Sequence, residues 1–314
     1  MTGTTAVSYV FPGQASQEVG MGLDLYQDYS LAREIFNQAD EVLGFPLSNL
    51  CFAGPEDELT KTVNVQPAIV ASSIACLKVA QQSDIGLCTP SFVAGHSLGE
   101  YTALVAAEAL GFSDALKLVR ERGRLMYEVG RRSQGGMLAI IGSELELVEE
   151  ICSSSGCNIS NVNCPGQIVI SGAREALDKA KILAKMKGVR RIIPLKVSGA
   201  FHSSLMEPII AEFKQLLSNF IFHSPSCPII SNVTAQPLVE VNAIREELVK
   251  QLYCCIQWQS SVEYMSNNGV NIFYEIGPGK VLSGLIRRID QHAIIHNISG
   301  SETIEQVRNI FENG

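Results

Sequence analysis

The sequence predicts an α/β protein: a large core around a mainly parallel sheet, interrupted by a small inserted unit. Three observations predict it. Short apolar runs alternate with stretches of helical apolar spacing through residues 1–129. At Gly130 the order changes to strand, helix, two strands, helix and strand. Past Ser198 the alternation of strand and helix returns. The expected organisation is a large part made of 1–129 and 198–314, with a small part at 130–197.

Residues 6–11 read as a buried first strand, ended by Pro12-Gly13. Residues 23–43 have helical spacing, and 67–79, rich in Ala, Ile and Val, form a second and buried helix. An apolar run at 90–94 is a strand, 100–107 the helix that follows it, and 114–129 another helix. In the small part, 137–142 is a strand and 145–152 a helix. Strands 158–163 and 167–172 pair around Cys164-Pro165-Gly166, followed by a helix at 174–187 and a strand at 190–197. This βαββαβ order is the ferredoxin-like arrangement. Beyond it, 206–217, 243–252, 262–267 and 281–288 read as helices, and 228–232 and 272–276 as strands. A cleft between the two parts is the expected ligand site.

The chain has 314 residues, 46% hydrophobic and 18% charged, enough for a large core. A net charge of −8, from 24 basic and 32 acidic residues with no basic tract, argues against nucleic acid as a partner. No stretch approaches the roughly 20 apolar residues that span a bilayer. Met1-Thr2-Gly3-Thr4-Thr5 carries no basic residue, so no signal peptide is expected. Nine irregularly spaced cysteines, including the adjacent Cys254-Cys255 and no C-x-x-C, predict a reduced cytoplasmic protein without disulfides. The five histidines are not spaced for zinc, and no metal is expected.

Gly95-His96-Ser97-Leu98-Gly99 joins the strand at 90–94 to its helix. A G-x-S-x-G pattern there is a nucleophile elbow, the device of α/β-hydrolase-like cores. Its glycines allow a strained turn that lifts the serine oxygen out of the fold. The helix aims its first free N–H groups at the same spot, where an oxyanion would form. Small residues around a serine also occur in ordinary strand-to-helix turns; the switch of period inside this motif favours the elbow. A serine hydroxyl needs a base. His202 is the candidate, because it follows a strand end through small residues, where catalytic groups of α/β sheets gather. His96 supports the elbow, while His223, His292 and His296 have no comparable setting. Arg120, Arg122 and Arg124 offer a guanidinium suited to a carboxylate, and the pattern alone selects none of them.

Six segments carry a resemblance along nearly the whole chain. They are Phe11-Pro12-Gly13-Gln14-Ala15-Ser16-Gln17, Val65-Gln66-Pro67-Ala68, Gly95-His96-Ser97-Leu98-Gly99-Glu100-Tyr101, Arg122-Gly123-Arg124-Leu125-Met126, Gly199-Ala200-Phe201-His202-Ser203 and Glu275-Ile276-Gly277-Pro278-Gly279. The sequence resembles the malonyl-CoA:acyl carrier protein transacylases and the similar acyltransferase domains of polyketide synthases. The resemblance implies that Ser97 takes a malonyl group from malonyl-CoA and passes it to the phosphopantetheine thiol of acyl carrier protein, by ping-pong kinetics. It implies a Ser-His dyad with His202, an oxyanion hole from the backbone N–H groups of Gln14 and Leu98, and Arg122 on the malonyl carboxylate. Gln66 and Phe201 would meet substrate, Phe201 and Leu98 fitting the malonyl-type pattern. A backbone carbonyl near Gln251, rather than an Asp, would orient the histidine. No cofactor is bound, and a monomer is expected.

One position departs from the family pattern: Ala15 stands where a second glycine is usual. An acidic carrier calls for a locally basic face, with Lys185, Lys187, Arg190 and Arg191 as candidates on the small part and Lys280, Arg287 and Arg288 on the large one. The carrier could serve fatty-acid or polyketide synthesis. A serine esterase or thioesterase would share the elbow and histidine, and a non-catalytic carrier binder would keep the fold without needing the site.

Overall fold

The computed structural model describes residues 6–83 and 85–312. β1 (Ala6–Phe11) is buried along nearly its whole length, as a central strand covered on both faces must be. Two helices follow, α1 (Leu23–Asp28) and α2 (Ser30–Leu43), where the sequence predicts one over 23–43. The break is at Tyr29, whose backbone is extended (φ −123°, ψ 125°). Arg33 donates to the carbonyls of Tyr26 and Gln27, so α1 can end there with its last acceptors satisfied.

α3 (Leu47–Ala53) and α4 (Glu56–Leu59) occupy a stretch for which no element is expected. α5 (Thr62–Gln82) is longer than the helix expected over 67–79 and carries Pro67 inside its second turn. Proline lacks the N–H that would serve the carbonyl of Val63. Arg120 Nη1 donates to that carbonyl instead, at 3.2 Å. α5 is also long and apolar enough to cross a membrane, which corrects the expectation that no stretch approaches such a length; 83% of its apolar window is buried inside the protein. Its hydrophobicity is that of a core helix.

β2 (Phe92–Gly95), α6 (Gly99–Ala106) and α7 (Phe112–Ser133) follow. Next come β3 (Gly135–Ile141), α8 (Leu145–Ser155), β4 (Asn158–Cys164), β5 (Gln167–Ala173), α9 (Arg174–Met186) and β6 (Arg191–Pro194). The strand expected over 190–197 is thus confined to four paired residues. A 3₁₀ turn, Ser204–Ile209, leads into α10 (Ile210–Leu217). The strand expected over 228–232 shrinks to β7 (Ile229–Ile230), which pairs with the short β8 (Pro237–Leu238). α11 (Val241–Lys250), α12 (Trp258–Asn267), β9 (Val270–Ile276) and α13 (Val281–Ile289) follow, then β10 (Ile294–Ile298) and α14 (Ser301–Glu312), neither of which the sequence predicts.

Two sheets result. One has six strands in the order β10-β9-β1-β2-β7-β8, parallel throughout except for β8. The other has four, in the order β4-β5-β3-β6, all antiparallel. One face of the four-stranded sheet presents Leu138, Ile140, Ile168 and Ile170 to Val148 and Ile151 of α8 and Leu177 and Ala180 of α9. Its other face sends Met137, Ala139 and Val169 into the main core. β4 is stitched to the segment before α12 by Val162 N–H on the Ile256 carbonyl and Ile256 N–H on the Ser160 carbonyl, each 2.9 Å.

Candidate active site

Ser97 sits between β2 and α6 with φ 50°, a left-handed conformation rare for a non-glycine residue. The glycines beside it are demanded by contact: a Cβ on Gly95 would lie 1.9 Å from the Gly99 carbonyl carbon, and one on Gly99 2.1 Å from the Phe11 carbonyl oxygen. Such a turn costs about 1–2 kcal/mol. Asn232, in the turn two residues past β7, offsets it. Its Oδ1 accepts from Ser97 N–H at 2.6 Å and its Nδ2 donates to the Gly95 carbonyl at 2.7 Å.

His202 also has a positive φ, 55°, and its N–H donates to the Leu252 carbonyl at 3.2 Å. Its Nδ1 lies 2.6 Å from the carbonyl oxygen of Gln251. A carbonyl only accepts, so Nδ1 carries the hydrogen and Nε2 keeps a lone pair. That lone pair faces Ser97 Oγ at 2.8 Å, and the serine hydroxyl therefore donates. Burial, then the neighbouring Arg122 charge, push His202 down to about 3 from the ordinary 6.5, which keeps the imidazole neutral.

Arg122, 1% exposed on α7, is the one arginine of its cluster that reaches this point. Nη1 donates to Gln66 Oε1 (2.9 Å), and Nη2 to Gln251 Oε1 (2.8 Å) and Ser97 Oγ (3.2 Å). All three acceptors are neutral. Its guanidinium carbon lies 5.2 Å from the centre of the Tyr101 ring, a cation–π contact. Arg120 and Arg124 are engaged elsewhere, Arg120 with Asn64 and Arg124 with Glu121, Glu128 and Glu212.

These groups open onto a cavity of about 1020 Å³ between the two sheets. Gln14, Ser97, Leu98, Arg122, Phe201 and His202 lie on its wall. Gln66 and Gln251 do not; both are buried and reach the site through Arg122. Ala15 takes φ 85°, the conformation for which glycine is suited, so the chain keeps the turn and accepts a Cβ in it. His96 Nε2 meets Asn163 Oδ1 at 2.9 Å across the cleft. Among the described residues no group of three or more His, Cys, Asp or Glu could hold a metal ion, and all nine cysteines are free. The basic candidates separate. α9 covers the sheet face turned away from the cavity, so Lys185 and Lys187 stand off from it, and Lys187 pairs with Glu150 at 2.6 Å. Arg288 donates to Gln167 Oε1 and the Pro165 carbonyl, and Gln167 is on the cavity wall.

The model of the acyl transferase domain family matches residues 8–302. The malonyl CoA-acyl carrier protein transacylase of Bacillus subtilis (strain 168) is 44% identical over 304 residues, 95% of each chain. The chain belongs to the malonyl CoA-acyl carrier protein transacylase family. The Staphylococcus aureus (strain MRSA252) transacylase is 40% identical over 97% of this chain and 98% of its own. Among solved structures, an acyl carrier protein S-malonyltransferase from Vibrio cholerae O1 biovar eltor str. N16961 superposes with TM-score 0.93 at 39% identity, over 96% of this chain and 100% of that one. The malonyl-transacylase in complex with a type II polyketide synthase acyl-carrier protein gives 0.94 at 38% identity, over 99% of this chain and 100% of that one.

Two residues of this transacylase-family site escape a reading of the sequence. Asn232 lies in the turn that follows a strand only two residues long, and Glu100 reads as an ordinary first-turn helix acid. Glu100 is buried, and burial together with Glu247 raises its carboxyl well above the usual range. Its place directly after the elbow motif was the available signal.

Proposed function

We propose that this chain transfers malonyl from malonyl-CoA to the phosphopantetheine thiol of acyl carrier protein through a malonyl ester on Ser97. The observation that carries the reading is one oxygen with two neighbours: Ser97 Oγ lies 2.8 Å from His202 Nε2 and 3.2 Å from Arg122 Nη2. As Oγ bonds the thioester carbon, its proton passes to His202 Nε2, and the departing coenzyme A thiolate takes that proton. In the second half the carrier thiol gives its proton to His202 and attacks the ester, restoring Ser97. The N–H groups of Gln14 and Leu98 receive the oxyanion in each half. Gln251 orients the imidazole through its own carbonyl, Gln66 and Gln251 hold Arg122, and Arg122 grips the malonyl carboxylate. Phe201 crowds the α-carbon. The chemistry draws on side chains and backbone alone, with no bound cofactor or metal.

The same reading takes 1–129 and 198–314 as an α/β-hydrolase-like large part and 130–197 as a ferredoxin-like small one. The antiparallel order β4-β5-β3-β6 supports the latter. The site is complete within one chain, which supports a monomer, and free cysteines are in keeping with the cytoplasm. The carrier docks at the cavity mouth rather than over α9, drawn by Lys280, which precedes the lining residue Val281, and by Arg288, which bonds the lining residue Gln167. A polyketide carrier is the second reading, favoured by the likeness to the polyketide-associated transacylase.

Incubation with malonyl-CoA and weighing of the intact protein tests this. A malonyl adduct that is absent from Ser97→Ala is expected; release of coenzyme A without adduct would instead indicate an esterase. Arg122→Ala should lose malonyl transfer by about 30-fold or more and spare acetyl transfer, since a malonyl carboxylate left without its donor costs about 2 kcal/mol or more.

A further inference from the structure

Glu100 has no part in that chemistry, yet it touches both residues that hold the site together. Oε1 accepts from the Asn232 N–H at 3.1 Å, and Oε2 accepts from the side-chain amide of Gln251. Asn232 secures the Ser97 backbone, while Gln251 donates through Nε2 to the Ser97 carbonyl at 2.9 Å and accepts from Arg122 through Oε1. We infer that Glu100 is a positioning residue: it fixes which way the Gln251 side-chain amide faces, and so where Arg122 is held. The inference rests on the carboxylate-binding role proposed for Arg122.

An amide is nearly symmetric in shape but opposite in chemistry at its two ends, one donating and one accepting. Two acceptors, Glu100 Oε2 and the Ser97 carbonyl, converge on one end of Gln251. Nε2 must face them, and Oε1 is thereby delivered to Arg122 Nη2. Turned over, the amide would set oxygen against two acceptors and nitrogen against a guanidinium. A glutamine at position 100 cannot keep both contacts, because Asn232 N–H needs its oxygen and its own NH₂ then meets that of Gln251.

Glu247 is a comparison for charge alone, because it bears on Glu100 electrostatically. It is another buried carboxylate, but it accepts from the Ser231 hydroxyl (2.7 Å) and Val233 N–H (2.9 Å) rather than from Gln251. Glu100→Gln, Glu247→Gln and wild type are compared for malonyl and acetyl transfer from coenzyme A thioesters, with Tm measured beside them. Glu100→Gln should lower kcat/KM for malonyl by about 10- to 100-fold and cut the malonyl-to-acetyl ratio at least about tenfold. Glu247→Gln should leave the ratio unchanged. A parallel fall for both acyl groups in Glu100→Gln, or an equal drop of the ratio in Glu247→Gln, overturns the inference. If Glu100→Gln does not fold, Glu100→Asp, which withdraws the carboxylate from Gln251, must lower the ratio in the same direction, and an unaltered ratio overturns the inference. A crystal structure of the variant separates the two levels. A wild type that forms no malonyl adduct refutes the functional reading, whereas a Gln251 amide still bonded to Arg122 Nη2 in the variant refutes the role of Glu100.

Discussion

Ser97 and His202 enter the cleft on backbone held at φ 50° and 55°, whereas β3 and β5, on the wall they face, pair in unbroken antiparallel register. On that wall Met137 and Ala139 alternate with Leu138 and Ile140, which turn to α8 and α9. The strained side is also the densely hydrogen-bonded one: Asn232, Leu252 and Gln251 each tie down a main-chain or ring atom of the pair. The contrast teaches that conformational cost is concentrated where reacting atoms must be placed, and tolerated because buried partners over-determine it. The opposite wall contributes shape and enclosure, for which regular geometry suffices.

Removing the imidazole attacks the strained side at its centre. His202→Ala should slow formation of the malonyl adduct by about 10²- to 10⁴-fold, followed by intact mass against time; an undiminished rate would locate the base elsewhere. The second expectation compares one glycine from each side. Gly95→Ala forces the 1.9 Å overlap with Gly99 and should cost about 3 kcal/mol or more in urea unfolding, while Gly136→Ala brings its Cβ to 3.4 Å from Leu177 Cδ1, an adjustment of about 1 kcal/mol or less. Equal losses would break the contrast. The smallest effect concerns shape alone. Phe201→Ser should shift the preference between malonyl and methylmalonyl thioesters by about tenfold in a competition assay, the value of a methyl-sized space; unchanged selectivity would mean that Phe201 does not bound the acyl group.

Much of this arrangement was legible in the sequence. The apolar runs that became β1, β2 and β9 are buried strands, and such runs declare themselves locally. β10 did not: Ile294, His296 and Asn297 mix polar and apolar residues on a sheet edge, where burial imposes no clean pattern. The split at Tyr29 was hidden because what closes α1 is the side chain of Arg33, a contact that spacing does not reveal. Ser97 could be found from five residues. Choosing Arg122 over Arg120 and Arg124, and recognising Gln251, needed the family resemblance, because their partners lie 129 and 154 residues away in the chain.

On the roles proposed for them, the 3.2 Å contact between Arg122 and Ser97 acts as an interlock. While the guanidinium rests against the hydroxyl, it draws electron density through one of the oxygen's two lone pairs and burdens the imidazole with a positive neighbour. An incoming acid that draws the guanidinium toward itself releases both restraints at once. On the proposed reading, the right cargo does more than fit: it arms the serine, and an uncharged thioester leaves the safety on.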